Sequence, residues 1–188
     1  LHAESRRQRQ MCIRDSGISC EFIKSEVDEE LIKLNFHGND FDKLAIQLAT
    51  EKALTISDKN KDYFVVGVDQ VCSLDEEILN KPGNKDNAIV SLQKLSGKTH
   101  HQNCGMAICK DGKIIWQSSA IAELTMKDLT LDEIQRYLDL DEPYNCSGSY
   151  KFEANGKDLF LNVIGSEYTI QGMDIDQLIE AFYREGII

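Results

Sequence analysis

The chain is 188 residues long, with 21 lysines and arginines against 32 aspartates and glutamates, for a formal net charge of -11. That length suits one ordinary domain with a substantial core, and 41% apolar and 28% charged residues with only two prolines make a globular composition. The acidity argues against a bulk electrostatic grip on DNA, RNA or an anionic membrane, each of which needs a basic face, and there is neither a run of about 18 apolar residues nor a signal-peptide core.

The chain starts at Leu1 rather than at a methionine, so a missing true N-terminus is expected. Residues 1–16 are polar, basic and without a clean period. Met11–Ser16 also matches one reading frame of a common transposon-type sequencing adapter, and an assembly artefact is expected there. From Gly17 the pattern improves. Ile18 to Lys24 reads as a short strand, followed by an acidic loop at Ser25-Glu26-Val27-Asp28-Glu29-Glu30. Phe41, Leu44, Ala45, Leu48 and Lys52 recur at three and four residues, which predicts an amphipathic helix from about Asp40 to Ser57. A polar turn then precedes the apolar run Tyr63 to Val68, a buried strand that delivers Asp69 and Gln70 at its end.

Asn80-Lys81-Pro82-Gly83 reads as a loop. Ala88, Ile89, Leu92 and Leu95 mark a helix from Asn87 that stops at Ser96-Gly97. Cys104 to Cys109, a turn at Lys110-Asp111-Gly112-Lys113 and Ile114 to Trp116 predict a β-hairpin, with strand resuming around Ser119 to Met126. Thr130-Leu131-Asp132-Glu133 is a capping box that opens a helix through Leu138. A Gly-rich turn at Cys146 to Tyr150, a strand near Leu159 to Ile164 and a last helix carrying Ile175, Leu178, Ile179 and Phe182 complete a mixed α/β chain. The six cysteines show no C-x-x-C and no zinc-finger spacing, which predicts free thiols in a reducing cytosol.

Asp69 is the first candidate for chemistry. A carboxylate at the C-terminal end of a buried strand sits where open α/β sheets place ligands, and it can ligate a hard cation or act as a general base; it can equally cap a turn. Asp28, Glu29 and Glu30 offer further oxygen ligands or a solvated loop. Lys52 lies near the apolar face of its helix, where it must snorkel or reach an anion. Lys81 is presented from a backbone stiffened by Pro82. Both lysines matter only if a polyanion lies between them. His100 and His101, adjacent on a strand, point to opposite faces and are not expected to bind metal. Glu153 stands near another loop-to-strand junction. No Walker loop, G-x-G-x-x-G, G-x-S-x-G or H-E-x-x-H occurs. The residues by themselves describe an acidic α/β domain with a possible metal–phosphate site.

Several segments, in order, resemble the Maf family of nucleotide pyrophosphatases: Glu26 to Glu29, Leu48 to Ala53, Gly67-Val68-Asp69-Gln70-Val71, Asn80-Lys81-Pro82, Leu95 to His100, Ser147 to Glu153, and Gly165 with Ile170 to Met173. The resemblance covers nearly everything after Ile18. It implies a single Maf/ITPase-like α/β domain over residues 1–188, two lobes around a central cleft, in a cytoplasmic homodimer. The implied activity is hydrolysis of a nucleoside triphosphate to the monophosphate and pyrophosphate, removing non-standard nucleotides, with historical links to septum formation. Carried over by residue, Asp69 is the base that readies water for attack on the α-phosphorus, Glu29 with Asp69 holds Mg²⁺ or Mn²⁺, and Lys52 and Lys81 neutralise triphosphate charge. Such charge stabilisation is the main burden in phosphoryl displacement.

Two departures stand out. The family's N-terminal phosphate loop is of Ser-x-x-Arg type, whereas Ser5 and Arg9 are one residue out of that register; Arg9 is the corresponding specificity candidate. Asp174 replaces a usual proline, and as a good N-cap it should bear on the last helix more than on chemistry. Within the family, Asp69-Gln70 and Gly148-Ser149-Tyr150-Lys151-Phe152-Glu153 resemble the subgroup acting on 7-methyl-GTP, while pyrimidine-selective members tend to have Thr after the Asp. Glu153 can accept from guanine N1–H and the 2-amino group while Gln70 serves another edge, but the same carboxylate can accept from uracil N3–H. A cationic methylated base favours an aromatic partner, and the N-terminal region offers arginines instead. The alternatives are a dTTP/UTP/CTP pyrophosphatase of the same family and a non-catalytic Maf-like binding module.

Overall fold

The structure, a computed structural model, describes residues 18–188. A five-stranded antiparallel sheet forms its centre, in the order β2-β1-β3-β4-β5. The strands are β1 (Val65–Leu74), β2 (Glu77–Ile78), β3 (Thr99–Lys110), β4 (Lys113–Met126) and β5 (Phe160–Ile164). Among the described residues six α-helices accompany them: α1 (Glu29–Asn35), α2 (Phe41–Ser57), α3 (Lys85–Leu95), α4 (Leu131–Asp141), α5 (Glu167–Ile170) and α6 (Ile175–Arg184). The mixed α/β class expected from the sequence is the class observed.

The long β3–β4 hairpin turns at Asp111-Gly112 and keeps register from Lys110↔Lys113 to Thr99↔Thr125, with one irregularity at Ile108/Cys109. β4 therefore runs unbroken from Lys113 to Met126 instead of resuming at Ser119. β1 pairs with β3 from Val65↔Cys109 to Ser73↔His101.

Side chains alternate across β1 and divide the interior. Val71 faces α2, packing with Leu44, Ala45 and Leu48. Val66 and Val68 face the opposite side, against Met173, Ile175, Leu178 and Phe182 of the C-terminal segment. Cys72, on that same side, joins a third cluster built from α3, α4 and β4, including Leu92, Leu95, Leu124 and Leu138. Leu44 and Leu48 are fully buried, each contributing roughly 1.5–3 kcal/mol of transfer free energy. Helix α2 lies unusually close to the sheet. A Cβ on Gly67 would stand 2.1 Å from the Ala49 carbonyl oxygen, and one on Gly105 would stand 2.0 Å from the Ala45 carbonyl carbon. Only glycine at these two strand positions lets the alanine side of α2 settle there.

Three expectations are corrected. Ile18–Lys24 is not a strand: none of these residues takes part in a strand, and Ser19 to Lys24 are exposed. The acidic loop ends early, because Asp28 caps α1 by accepting from the Leu31 amide at 3.0 Å. Glu29 and Glu30 thus occupy a helical first turn, where the helix dipole favours them. Asp69 is not at a strand end. β1 continues through Leu74, and its sheet is antiparallel, so the carboxyl-end rule for parallel sheets does not place it. Other expectations hold closely: Thr130 and Glu133 form both halves of a capping box, and Asp174 caps α6 through the Gln177 amide. Cys72 and Cys109 are buried free thiols, and burial pushes Cys72 up to about 12. No helix among the described residues is long and apolar enough to cross a membrane.

Candidate active site

Asp69, with a side chain 15% exposed, lies on β1 towards the β2 edge of the sheet. β2 covers only Ser73 and Leu74, so no strand lies beside Asp69 on that edge among the described residues. A cavity of about 340 Å³ opens there. Because adjacent residues of a strand point to opposite faces, Asp69 and Gln70 enter it from opposite sides of the sheet.

The Asp69 side is charged. Lys52 projects from α2 and places Nζ 3.0 Å from Asp69 Oδ1 and 2.7 Å from Glu29 Oε1. Helix α1, which the capping at Asp28 sets in place, thereby delivers its carboxylate to the same ammonium as the central strand. Burial alone would lower Lys52, but the Asp69 charge and the Glu29 hydrogen bond outweigh it and hold Lys52 above its ordinary value. Burial likewise pushes Glu29 up; the Lys52 hydrogen bond and charge, with the charges of Lys81 and Lys33, outweigh it and hold Glu29 below the usual carboxylate range. Lys33 donates to Glu30 at 2.9 Å and to Asn80 Oδ1 at 3.1 Å, tying α1 to the loop that carries Lys81. Lys81 itself is exposed and lines the cavity.

The Gln70 side carries amides, aromatic rings and one carboxylate. Gln70 Nε2 donates to the Thr169 and Ile170 carbonyls at 3.0 and 2.7 Å, which fixes the α5 turn to the sheet. Tyr150 and Phe152 are buried members of the wall, and Tyr150 meets Phe160 edge-on with centroids 4.9 Å apart. Gly148, at φ 78°, sits where a Cβ would press on Cys72 Sγ and the Tyr150 ring. Glu153 follows, exposed, at the cavity wall.

The structure therefore brings Glu29, Lys52 and Asp69 into direct contact and sets Gln70, Lys81 and Glu153 around the same cavity. Arg9 lies outside the described residues. His100 and His101 separate as their alternation requires, His100 fully buried and His101 half-exposed. Sequence reasoning passed over Lys33, Asn80 and Gln102. The signal for Lys33 was its i,i+4 spacing from Glu29, visible once residues 29–35 are read as a helix. For Gln102 it was its place two residues from His100, on the same face of a strand that turns apolar from Cys104.

Two carboxylates and an ammonium thus stand beside an amide and aromatic wall, with Lys33 and Lys81 at the same cavity. For a divalent cation, the donor set is Glu29 and Asp69. Both already hold one positive centre, Lys52 Nζ, within 3.0 Å, so they converge on one point. Among the described residues no group of three or more His, Cys, Asp or Glu is placed to hold a metal. Two carboxylates completed by water and phosphate oxygens are the usual magnesium arrangement, and these residues fit it.

A family model described as Maf-like protein matches residues 3–185. The chain is 36% identical over 186 residues, 99% of this chain and 93% of the relative, to a nucleoside triphosphate pyrophosphatase of Legionella pneumophila (strain Lens). It is 31% identical over 179 residues, 94% and 89% of the two chains, to one of Nitrobacter winogradskyi. A 7-methyl-GTP pyrophosphatase of Brucella abortus biovar 1 is 34% identical over 184 residues, 96% and 92% of the two chains.

Proposed function

The chain belongs to the Maf family, and on that premise we propose that it is a nucleoside triphosphate pyrophosphatase whose working group is the Glu29–Lys52–Asp69 cluster. The observation that carries this reading is the shared Lys52 ammonium, which joins Asp69 and Glu29 beside an open cavity. Asp69 Oδ1 is taken by Lys52; the other carboxylate oxygen serves as the acceptor for a proton from water attacking the α-phosphorus. The water oxygen forms the new bond, the bond from the α-phosphorus to the bridging oxygen breaks, and pyrophosphate leaves. Lys81 and Lys33 supply positive charge for the leaving group at the α1 side of the cavity. Glu29 and Asp69 would hold Mg²⁺ or Mn²⁺, which when bound supplies further charge neutralisation on the phosphoryl oxygens.

The base belongs on the Gln70 side, with Glu153 as reader. The Brucella relative named 7-methyl-GTP pyrophosphatase and the aromatic wall of Tyr150 and Phe152 favour a guanine-type base, including its 7-methylated form. A housecleaning role in the cytoplasm, as a homodimer, completes the reading; chromatographic mass determination tests the dimer.

The test is pyrophosphate release with Mg²⁺ or Mn²⁺ from 7-methyl-GTP, GTP, UTP, dTTP and CTP, beside Asp69→Asn. Turnover of a guanine nucleotide that vanishes in the variant supports the whole reading. Preference for UTP, dTTP or CTP would move the chain to the pyrimidine subgroup. Silence throughout, with folded protein, would favour the non-catalytic binding module.

A further inference from the structure

Gln102 projects from β3 onto the same face as Cys72, its cross-strand neighbour. It is 1% exposed, yet it lines the cavity. Its Nε2 donates to the Tyr150 hydroxyl at 2.7 Å, and that hydroxyl lies 2.8 Å from His100 Nε2. Burial, helped by the neighbouring His101, holds His100 down to about 4, so the imidazole is neutral and one ring nitrogen can accept. With Nε2 accepting the Tyr150 proton, the hydroxyl oxygen is free to accept from Gln102. The amide is thereby oriented, and its Oε1 is left buried with no partner among the described residues.

A buried carbonyl oxygen without a partner, on a side chain that a rigid relay holds at the wall of a ligand cavity, is an acceptor awaiting a donor. Resting on the nucleotide reading above, we propose that Gln102 is a base-recognising residue of this site, its Oε1 accepting from the exocyclic amine of a guanine-type base while Glu153 takes the ring N–H. Two acceptors on one wall require a base with two donor groups. Guanine and its 7-methyl form present N1–H and the 2-amine; uracil and thymine present a single N–H and leave one acceptor unsatisfied, which is how polar sites reject a near-isostere. Tyr150 and His100 act through Gln102 as positioning residues.

The experiment measures binding without turnover, by calorimetry with the α,β-methylene analogues of GTP and ITP, the latter differing only in lacking the 2-amine. Wild-type protein should bind the GTP analogue more tightly by on the order of tenfold, the scale of one buried hydrogen bond. Gln102→Met, of similar length, should erase that preference by weakening the GTP analogue alone, with thermal melting reporting the fold. Tyr150→Phe, which frees the amide to rotate, should reduce the preference in the same direction and carries the test if Gln102→Met does not fold. An unchanged preference in both variants, or equal weakening of both analogues, overturns the role of Gln102 while leaving the nucleotide reading intact. Failure of wild-type protein to bind either analogue overturns both.

Discussion

Lys52 and Asp69, seventeen residues apart in sequence, meet at 3.0 Å because α2 lies against β1 and β3 with a glycine of each, Gly67 and Gly105, at the crossing. The same ammonium holds Glu29 of α1 at 2.7 Å. One cation thus joins three elements, and the chemistry proposed for the site depends on the packing beneath it.

Asp69→Asn should keep the fold and lose the base. An amide can still accept from Lys52 but cannot take up a proton from water. The expected loss in kcat is about a hundred- to ten-thousandfold, with the melting temperature little changed. Steady-state kinetics and a thermal scan check both halves.

Lys52→Met leaves two partly buried carboxylates facing each other. Turnover should fall roughly ten- to a hundredfold, and the pH dependence of stability should change with it. The folded pKa of Glu29 lies below 4.5, so its stabilisation is present in full above 4.5 and lost as pH falls through the folded value. The folded pKa of Lys52 lies above 10.5, so its stabilisation is present in full below 10.5 and lost as pH rises through the folded value. Urea midpoints across that range should be flatter at both extremes in the variant.

Gly67→Ala reaches the site through the fold. The new methyl meets the Ala49 carbonyl oxygen, so α2 must move off the sheet and carry Lys52 away from Asp69. A destabilisation of about 1–3 kcal/mol should accompany a loss of turnover, although the position touches no ligand. Denaturant unfolding paired with kinetics tests the coupling.

How far the sequence disclosed this arrangement depended on the range of the interaction. Helix α2, the β3–β4 hairpin and the capping box at Thr130 were legible because spacing and turn chemistry are local. Asp69 was singled out for a reason that the fold does not supply. The sequence suggested a strand end, whereas the residue sits mid-strand at an edge that no strand covers among the described residues, which depends on how briefly β2 pairs. The conversion of Glu29 and Glu30 from loop to helix rested on one cap at Asp28. Gln102 was missed because an orphaned amide is visible only once Tyr150, 48 residues away, occupies its other end.

His100 should set an acid limb of its own. Its folded value of about 4 against 6.5 means that the unfolded chain takes up a proton first. Stability should therefore fall as pH drops from 6.5 towards 4, by up to about 3 kcal/mol. His100→Asn, which does not titrate, should flatten that window in unfolding free energies measured at pH 7 and pH 5.

Glu153→Gln should alter base preference more than maximal rate, because the group stands apart from the Glu29–Lys52–Asp69 cluster. Relative kcat/KM across guanine and pyrimidine triphosphates is the readout; an unchanged ranking would remove Glu153 from base reading.

The most direct measurement is hydrolysis in ¹⁸O-labelled water, with mass analysis of both products. Attack on the α-phosphorus places the label in the nucleoside monophosphate, leaves pyrophosphate unlabelled, and should disappear with Asp69→Asn. Label in pyrophosphate or orthophosphate, or undiminished turnover in the variant, would contradict the account.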